Sequence, residues 1–582
     1  MIALRPPALV PAPDPREGAL AKTIAQPDLI CRVLLARGID DPRDAKRYLR
    51  PDLSTLADPF QFTHMERAVD RIRTAIREGQ RILIHGDYDV DGITGTVLLQ
   101  KFFGLMQADV KAFIPDRRSG YSFTKDSVEA TREGKFDLCI SVDNGTNACE
   151  AIEQIQSFGC DVIVTDHHGT TDNVARAHTV LNPRLHDAGY PDRELAGCGV
   201  AYRLAAAVAQ SFSHPRRIGD DFRQFLIDAM AYVALGTVAD VAPLRGENRT
   251  MVHHGLRALA ASRNPGIRAL LDCAGVGHRS PDAEDIAFRI APLINAAGRM
   301  GQAAEAVKLL TAPGMHEAQE AAKVLERHNR NRRAVERDLM QRVEELAAKE
   351  PADRKIIVLG GEDWHPGVLG IAAARIAETY GKPSILISFD GDVGRGSGRS
   401  PGGIHLREAM GHCQNLLGSY GGHAAAAGLE IEREKLDAFR EAINEHAHEA
   451  LSPLPAFEAD GEASLGELHP RDIRMLEQLG PFGQGNPRPR FFTRNAKIVG
   501  HPTVDTRGSD LRFKVSHEGQ VLSARLRGGA SSYDKLKELK DPVHLVHSPR
   551  LTFRSDIGPL ELQVWQIECE DSNGGRQSIA GR

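Results

Sequence analysis

Residues 81–92 read RILIHGDYDVDG. An apolar run of the kind that forms a buried strand stops at His85, and Asp87, Asp89 and Asp91 follow within seven positions. Mutual repulsion and desolvation both oppose the folding of such a group, so the stretch implies a positive partner that the chain does not itself encode. Outward from it, 137–142 (DLCISV) and 161–165 (DVIVT) repeat the pattern of a short β-branched or apolar run, a polar turn and a helical stretch such as NACEAIEQIQSFG. That alternation predicts a parallel α/β sheet. In such sheets ligands gather beyond the carboxyl ends of the strands. Asp143 in SVDNGT and Asp166-His167-His168 in VTDHHG fall at those ends, and Asp240 in LGTVADVAPL again follows an apolar run.

Hard divalent cations favour carboxylate oxygens, and an imidazole nitrogen tilts the preference from Mg²⁺ towards Mn²⁺. Two such ions held together can activate a water and stabilise both oxygens of an in-line displacement at phosphorus, provided a carboxylate is shared between them. Asp143, alone at its strand end, is the natural bridge. His85, Asp89 and Asp91 have an H-x3-D-x-D spacing that an extended backbone would turn to one side, and Asp87 shares their parity as a ligand or an outer acceptor. His167 offers nitrogen to one metal, and its neighbour His168 points elsewhere, towards a substrate phosphate. Taken singly, each aspartate reads as a helix cap or turn former. Four separate strand ends each carrying Asp or His are hard to explain as four independent caps, and the joint pattern favours metal.

At 582 residues the chain exceeds the size at which one core keeps growing, and at least three domains are expected. Residues 1–50 read as an N-terminal extension and 51–314 as the α/β domain that holds the acidic cluster. Residues 315–350 are charged, lack Gly and Pro and place apolar residues at helical spacing, which predicts one long connecting helix. KIIVLG, GIAAARIAETYG and SILISFD restart the alternation, so a second α/β domain covers 351–450. From 451 to 570 short strands (RFKVS, VLSARLR, VHLVHS, LTFR) predict a small β-barrel, and 571–582 read as a polar C-terminal tail.

The formal net charge of -5 does not by itself suggest a polyanionic partner. Residues 484–555, however, hold fourteen Lys/Arg against six Asp/Glu, with Phe491, Phe492, Phe513, Tyr533 and Phe553 interleaved. Core packing claims most such Phe in any barrel, and the positive surplus is what favours a groove for a single strand. Eight cysteines without a C-x-x-C pair argue against structural zinc and for a reducing compartment. Prolines interrupt the first twenty residues where a signal peptide needs an apolar core, and no stretch reads as membrane-spanning, so a cytoplasmic protein is expected.

HGDYDVDG, SVDNGT, TDHHG and GTVADVAPL, in that order, resemble the four motifs of the DHH phosphoesterases. LARGIDDP, NPR at 182–184, LAGCGVAYRL, INAAGRM, WHPGVLGIAAARIAE, GRGSGRS, GGHAAAAG and PFGQGNPRPRF extend the resemblance from about residue 30 to 570, to the family's bacterial single-strand-specific exonucleases. The resemblance implies a DHH and a DHHA1 α/β domain joined by a long helix, plus an OB-fold barrel. It implies two ions, Mn²⁺ or Mg²⁺, held by His85, Asp89, Asp91, Asp143, His167 and Asp240, with Asp87, Asp166 and His168 completing the catalytic set. Arg117, Tyr121, Asn295, Arg299, Arg375, Ser397, Arg399 and His423 would bind the strand, the last four around its 5′ end. The register leaves Arg117 and Arg118 as alternatives, and Leu293 stands where relatives often have Arg.

The implied reaction is hydrolysis of single-stranded DNA from 5′ to 3′ into 5′-mononucleotides, in recombination and repair. The implied partners are a single-strand-binding protein and a RecQ-type helicase, and the implied state is a monomer. Two other readings stand beside it: a phosphoesterase for small substrates such as dinucleotides, and a binding module that has lost catalysis.

Overall fold

A computed structural model describes residues 6–580 apart from 118–119, 121, 171–172, 214–218, 403, 451–455, 507, 540, 553–557 and 571–575. The chain divides into two compact units. One comprises Arg50–Arg332 with Gly480–Pro487, and the other Met1–Leu49, Arg333–Leu479 and Arg488–Arg582.

The first unit is built on five parallel strands: β1 (Ile82–His85), β2 (Val110–Phe113), β3 (Leu138–Val142), β4 (Asp161–Thr165) and β5 (Thr179–Leu181). Their order is β2-β1-β3-β4-β5. β1 and β3 are buried along their whole length, which is why they read as unbroken apolar runs. Alternate residues of β1 serve two cores: Ile82 and Ile84 join Phe102, Phe103 and the helical layer, whereas Leu83 faces Phe123, Cys139 and Val162 on the other side. From β1 the chain crosses to β2 on one flank and then returns to β3 on the opposite flank. The connections therefore diverge between β1 and β3, leaving a crevice beyond the carboxyl ends of those strands where a doubly wound sheet binds its ligand. The acidic turn after β1 and Asp143 after β3 are its two lips.

The expected connecting helix is a single helix, Met315–Ala347, and the division between the units falls inside it. Ala318, Ala321, Ala322 and Leu325 complete the core of the first unit, and Leu339, Met340, Val343 and Ala347 pack with Trp364 and Leu369 in the second.

In the second unit, β6 (Ile357–Glu362), β7 (Ser384–Asp390), β8 (Val393–Arg399), β9 (Ser419–Gly422) and β10 (Ala426–Glu432) form a sheet ordered β6-β7-β8-β10-β9. Only β6–β7 is parallel, so the predicted alternation holds for one crossover and gives way to antiparallel pairing after β7.

The barrel closes through β12 (Phe491–Val504), β13 (Leu511–His517), β14 (Gln520–Leu526), β16 (Leu560–Glu570) and β15 (Val543–Leu551), with the short β11 (Gly461–Glu462) added along β12. Phe491, Phe492 and Phe513 are at most 5% exposed; Phe492, next to Phe491 on β12, faces the opposite side and packs with Phe457, Ala459, Val546 and Ala580, while Phe553 lies outside the described residues. Two segments depart from the sequence reading. Arg576–Ala580, expected in a polar tail, forms β17 along the open side of β16, where pairing satisfies backbone groups and Ile579 and Ala580 become buried. Gly480–Pro487, expected in the barrel domain, belongs with the first unit.

Among the described residues no helix is long and apolar enough to cross a membrane.

Candidate metal centre and phosphate contacts

The turn after β1 ends where Asp89 caps the helix Val90–Leu105, its Oδ1 accepting from the Gly92 amide at 3.0 Å. Asp91, in the first turn, accepts from Gly197 N at 2.7 Å and Cys198 N at 3.0 Å, the start of the helix Gly197–Ser211. These two carboxylates therefore are helix caps, and they are also more than that. Donor atoms of Asp87, Asp89 and Asp143 lie within 4.8 Å of one another, as do those of Asp91, His167 and Asp240, and those of Asp143, His167 and His168. Asp143 and His167 each belong to two of the groups, so the three form one cluster centred on them. Close approach is possible because residue 197 is glycine: a Cβ there would sit 2.6 Å from Asp143 Oδ1.

His85 is in none of these groups. It shares the parity of Leu83 and so points to that face, where its ring stacks on Phe123 at 4.1 Å and its Nε2 lies 2.8 Å from Ser127 Oγ. Burial lowers its pKa to about 4, so the ring is neutral. The spacing argument that grouped it with Asp89 and Asp91 assumed a continuous extended backbone, whereas the strand ends at His85 and the helix begins at Val90; the His85 Nδ1 is buried and makes no hydrogen bond.

The electrostatics of the cluster call for a cation. Burial, then Asp91, Asp89, Asp240 and Asp87, push the Asp143 carboxyl well above its ordinary range. Burial and Asp89 do the same to Asp87, and burial, Asp91 and Asp89 bring Asp240 up to about 8. Asp240 also stands at the C-terminal end of the helix Asp220–Ala239, where the helix dipole disfavours an anion. His167 Nε2 lies 3.0 Å from Asp143 Oδ1, 3.7 Å from Asp240 Oδ2 and 3.8 Å from Asp91 Oδ2. Burial keeps that ring neutral, with a pKa of about 4, so it does not supply the missing charge. His167 Nε2 and Asp87 Oδ1 are buried and make no hydrogen bond. A neutral nitrogen and several carboxylates converging with unused lone pairs fit Mn²⁺ or Mg²⁺.

Asp166, which follows β4, stands behind this cluster. Its carboxylate accepts from Thr146 N at 2.9 Å, His167 N at 2.7 Å, His168 N at 3.1 Å and His168 Nδ1 at 2.8 Å. Burial works against its ionisation, yet these donors, His168 first, hold it below the usual carboxylate range. Burial also opposes a charge on His168, but its bond to Asp166 and the surrounding carboxylates raise it to about 9. Asn182 Nδ2 donates to Thr146 Oγ1 at 2.9 Å and to the His168 carbonyl at 3.0 Å. Thr146 and Asn182 are thus positioning residues that the sequence reading did not single out, although Asn182 opens the NPR string.

Arg117 and Arg299 both act electrostatically on Tyr88, the residue between Asp87 and Asp89, and the Arg117 guanidinium sits 5.0 Å from the centre of its ring. Asn295 lies one turn before Arg299 on the helix Ala291–Arg299. Tyr121 and Arg118 fall outside the described residues.

In the second unit Arg399 Nη1 donates to Ser397 Oγ at 3.1 Å and to the Gly398 carbonyl at 2.7 Å. A Cβ on Gly370, in the helix Pro366–Tyr380, would stand 2.7 Å from Arg399 Nη2 and 3.1 Å from Ser397 Oγ, so the missing side chain lets the pair lie against the helix. Arg375 of that helix, half-exposed, pairs with the buried Glu336 at 2.8 Å. His423 lies in the exposed turn between β9 and β10.

The chain matches the models of the DHH family N-terminal domain over residues 81–236, the DHHA1 domain over 353–449 and the RecJ OB domain over 459–564. It is 34% identical over 490 residues to the single-stranded-DNA-specific exonuclease RecJ of Escherichia coli, covering 80% of this chain and 83% of that protein. Against the protein of the same name in Bacillus subtilis it is 31% identical over 500 residues, covering 85% of this chain but only 62% of the relative's length. The crystal structure of RecJ from Thermus thermophilus in complex with Mn²⁺ superposes with a TM-score of 0.82 at 28% identity, covering 98% of this chain and 80% of that one. With three domain models matched in order and a relative matched over most of both lengths, the chain belongs to the RecJ family.

Proposed function

We propose that this chain is a single-stranded-DNA-specific exonuclease, acting in the cytoplasm in recombination and repair, that degrades DNA from 5′ to 3′ into 5′-mononucleotides. The observation that carries the reading is the convergence of five aspartates and His167 on one cluster whose charge the fold leaves unbalanced. Asp87, Asp89 and Asp143 would hold one ion, and Asp91, His167 and Asp240 the other, with Asp143, whose Oδ1 lies 3.0 Å from His167 Nε2, placed to be shared between them. Bound there, a pair of Mn²⁺ or Mg²⁺ ions supplies an activated water and stabilises the attacking and leaving oxygens of an in-line displacement.

The chain's own residues do the rest. Asp166 holds His168 by Nδ1 and keeps its ring positively charged, which leaves Nε2 to meet a phosphate oxygen. Asn182 and Thr146 fix the backbone on which that pair stands. Arg117, Asn295 and Arg299 grip backbone phosphates, which position a strand without reading its sequence. In the second unit Ser397 and Arg399 recognise the terminal phosphate, and polarity follows from that recognition. Its partners, in this reading, are a single-strand-binding protein and a RecQ-type helicase, and the chain works as a monomer.

The deciding experiment compares end-labelled long single-stranded DNA, duplex and dinucleotides, each with and without Mn²⁺. Mononucleotides should leave the 5′ end of the single strand only when metal is present. Preferential cleavage of dinucleotides would move the reading to a small-substrate phosphoesterase, and metal-dependent binding without hydrolysis would move it to a binding module.

Two further outcomes are expected. Mn²⁺ at about a hundred times its Kd should stabilise the protein by about 2.7 kcal/mol, seen as a rise in melting temperature that chelation reverses. Gly370→Ala should cost about tenfold in the preference for a 5′-phosphorylated over a 5′-hydroxyl strand, since the added methyl displaces Arg399 from a charge-assisted contact. The ratio of kcat/KM on the two substrates measures it.

A further inference from the structure

Beyond Asp240 the chain runs through Val241, Ala242 and Pro243 to Leu244. Val241 has φ 62° and is 64% exposed. A β-branched residue in the left-handed region is strained, and such strain persists only where the surroundings over-determine the backbone. Close to hand there are two backbone bonds, from Val241 N to the Val238 carbonyl at 3.3 Å and from Ala242 N to the Thr237 carbonyl at 3.2 Å.

Asn248 Nδ2 donates to the Pro243 carbonyl at 3.2 Å, and further restraints come from Gly480–Pro487, which belongs to the same compact unit although it lies 240 positions downstream. Leu244 N donates to the Gln484 carbonyl at 2.7 Å, Arg245 Nε to the Gly485 carbonyl at 2.8 Å, and the buried Arg249 to the Gly480 carbonyl at 2.7 Å. The segment is itself a closed turn. Gly483 and Asn486 exchange backbone bonds at 2.9 and 3.2 Å, and Asn486, 2% exposed, donates through Nδ2 to the Pro481 carbonyl at 2.7 Å. Leu244, also 2% exposed, fills the space left by the missing side chain of Gly483, where a Cβ would stand 2.8 Å from Leu244 Cδ1.

We propose that Gly480–Pro487 is a positioning clamp for Asp240: by fixing Leu244, Arg245 and Arg249 it holds the strained Val241 that follows Asp240 and so tunes metal affinity at the centre. This rests on the metal reading above. The clamp touches no ion. It acts as outer partners of a metal site do, by aiming a ligand, and loss of such partners typically costs about 10- to 100-fold in metal affinity. The same contacts account for the PFGQGNP string, to which the barrel reading gave no task.

The test is calorimetric titration of Mn²⁺ into the metal-free full-length protein, as wild type, as Gly483→Ala and as Gly483→Ala with Leu244→Val. The added methyl should push Leu244 and weaken Mn²⁺ binding about tenfold or more, and the shorter valine should recover most of the loss. Equal affinity in wild type and Gly483→Ala overturns the clamp. Hydrogen exchange on the wild-type protein tests it without any variant. By reciprocity Mn²⁺ should slow exchange of the 480–486 amides together with those of 242–244, and unchanged exchange at 480–486 overturns it. Wild-type protein that binds no Mn²⁺ removes the metal reading and the clamp together, whereas wild type that binds no better than Gly483→Ala removes the clamp alone.

Discussion

Asp143→Asn is expected to eliminate nuclease activity and, in the absence of metal, to make the protein more stable. Both outcomes follow from one carboxylate. Asp143 is 1% exposed and faces Asp91, Asp89, Asp240 and Asp87, so its ionisation is opposed first by burial and then by four like charges. An amide of the same shape removes that repulsion, and the φ of 65° at this position suits Asn as well as Asp. A gain of about 1 kcal/mol would raise the melting temperature by about 1–2 °C.

The pH dependence has a definite sign. Folding raises the proton affinity of Asp143, so the penalty is absent at pH below its unfolded value and grows as pH rises through the folded one. Melts in chelator should therefore show wild type losing stability with rising pH, and the variant losing less. With Mn²⁺ the order reverses, because Asp143 is the residue proposed to touch both ions and only wild type gains from binding. Activity should fall on the order of 10³-fold or more, at least the effect of removing one transition-state donor. Metal-dependent hydrolysis by the variant at a rate close to wild type would overturn the bridging role. A lower melting temperature in chelator would mean that repulsion is not what the cluster stores.

That cluster was legible because its ingredients are local. Each ligand-bearing turn after β1, β3 and β4 follows an apolar run short enough to read as a strand, and a parallel sheet brings the ends of such runs to one edge without further information. Individual roles within the turns were less legible. Spacing groups His85 with Asp89 and Asp91, but the strand ends at His85 itself, so the parity on which spacing arguments rest stops before either aspartate. Thr146 and Asn182 carry no charge and act through a backbone amide and a carbonyl, so residue type gives no hint of them. The Gly480–Pro487 segment was assigned by adjacency to the barrel, whereas its place is decided by hydrogen bonds to Leu244, Arg245 and Arg249. In the barrel the basic surplus was visible in composition, but the division of Phe between core and surface depends on which face of each strand closes inward. Phe491, Phe492 and Phe513 are all buried, Phe492 in a separate cluster with Phe457 and Ala580.

His168→Gln is expected to lower kcat by about 10²- to 10⁴-fold while leaving Mn²⁺ affinity close to wild type. The separation of the two effects comes from the hydrogen bond at Nδ1. That nitrogen lies 3.8 Å from Asp143 Oδ1, near enough to count among the cluster's donors, but Asp166 Oδ1 engages it at 2.8 Å. A nitrogen committed to a carboxylate is a poor metal ligand, so the ring serves the substrate through Nε2. Asp166→Asn should reproduce the loss of kcat by releasing His168. It should also destabilise the fold by roughly 1–3 kcal/mol, because an amide nitrogen would then face Thr146 N or the three donors on Oδ1. If the two residues work as one unit, the double variant turns over little more slowly than the worse single variant, whereas independent roles would multiply the losses. Single-turnover rates at saturating Mn²⁺, set beside Mn²⁺ titrations of the same proteins, distinguish the cases. Loss of Mn²⁺ binding in His168→Gln would make the ring a ligand. Asp166 would then be the group that orients it towards the ion rather than towards the phosphate.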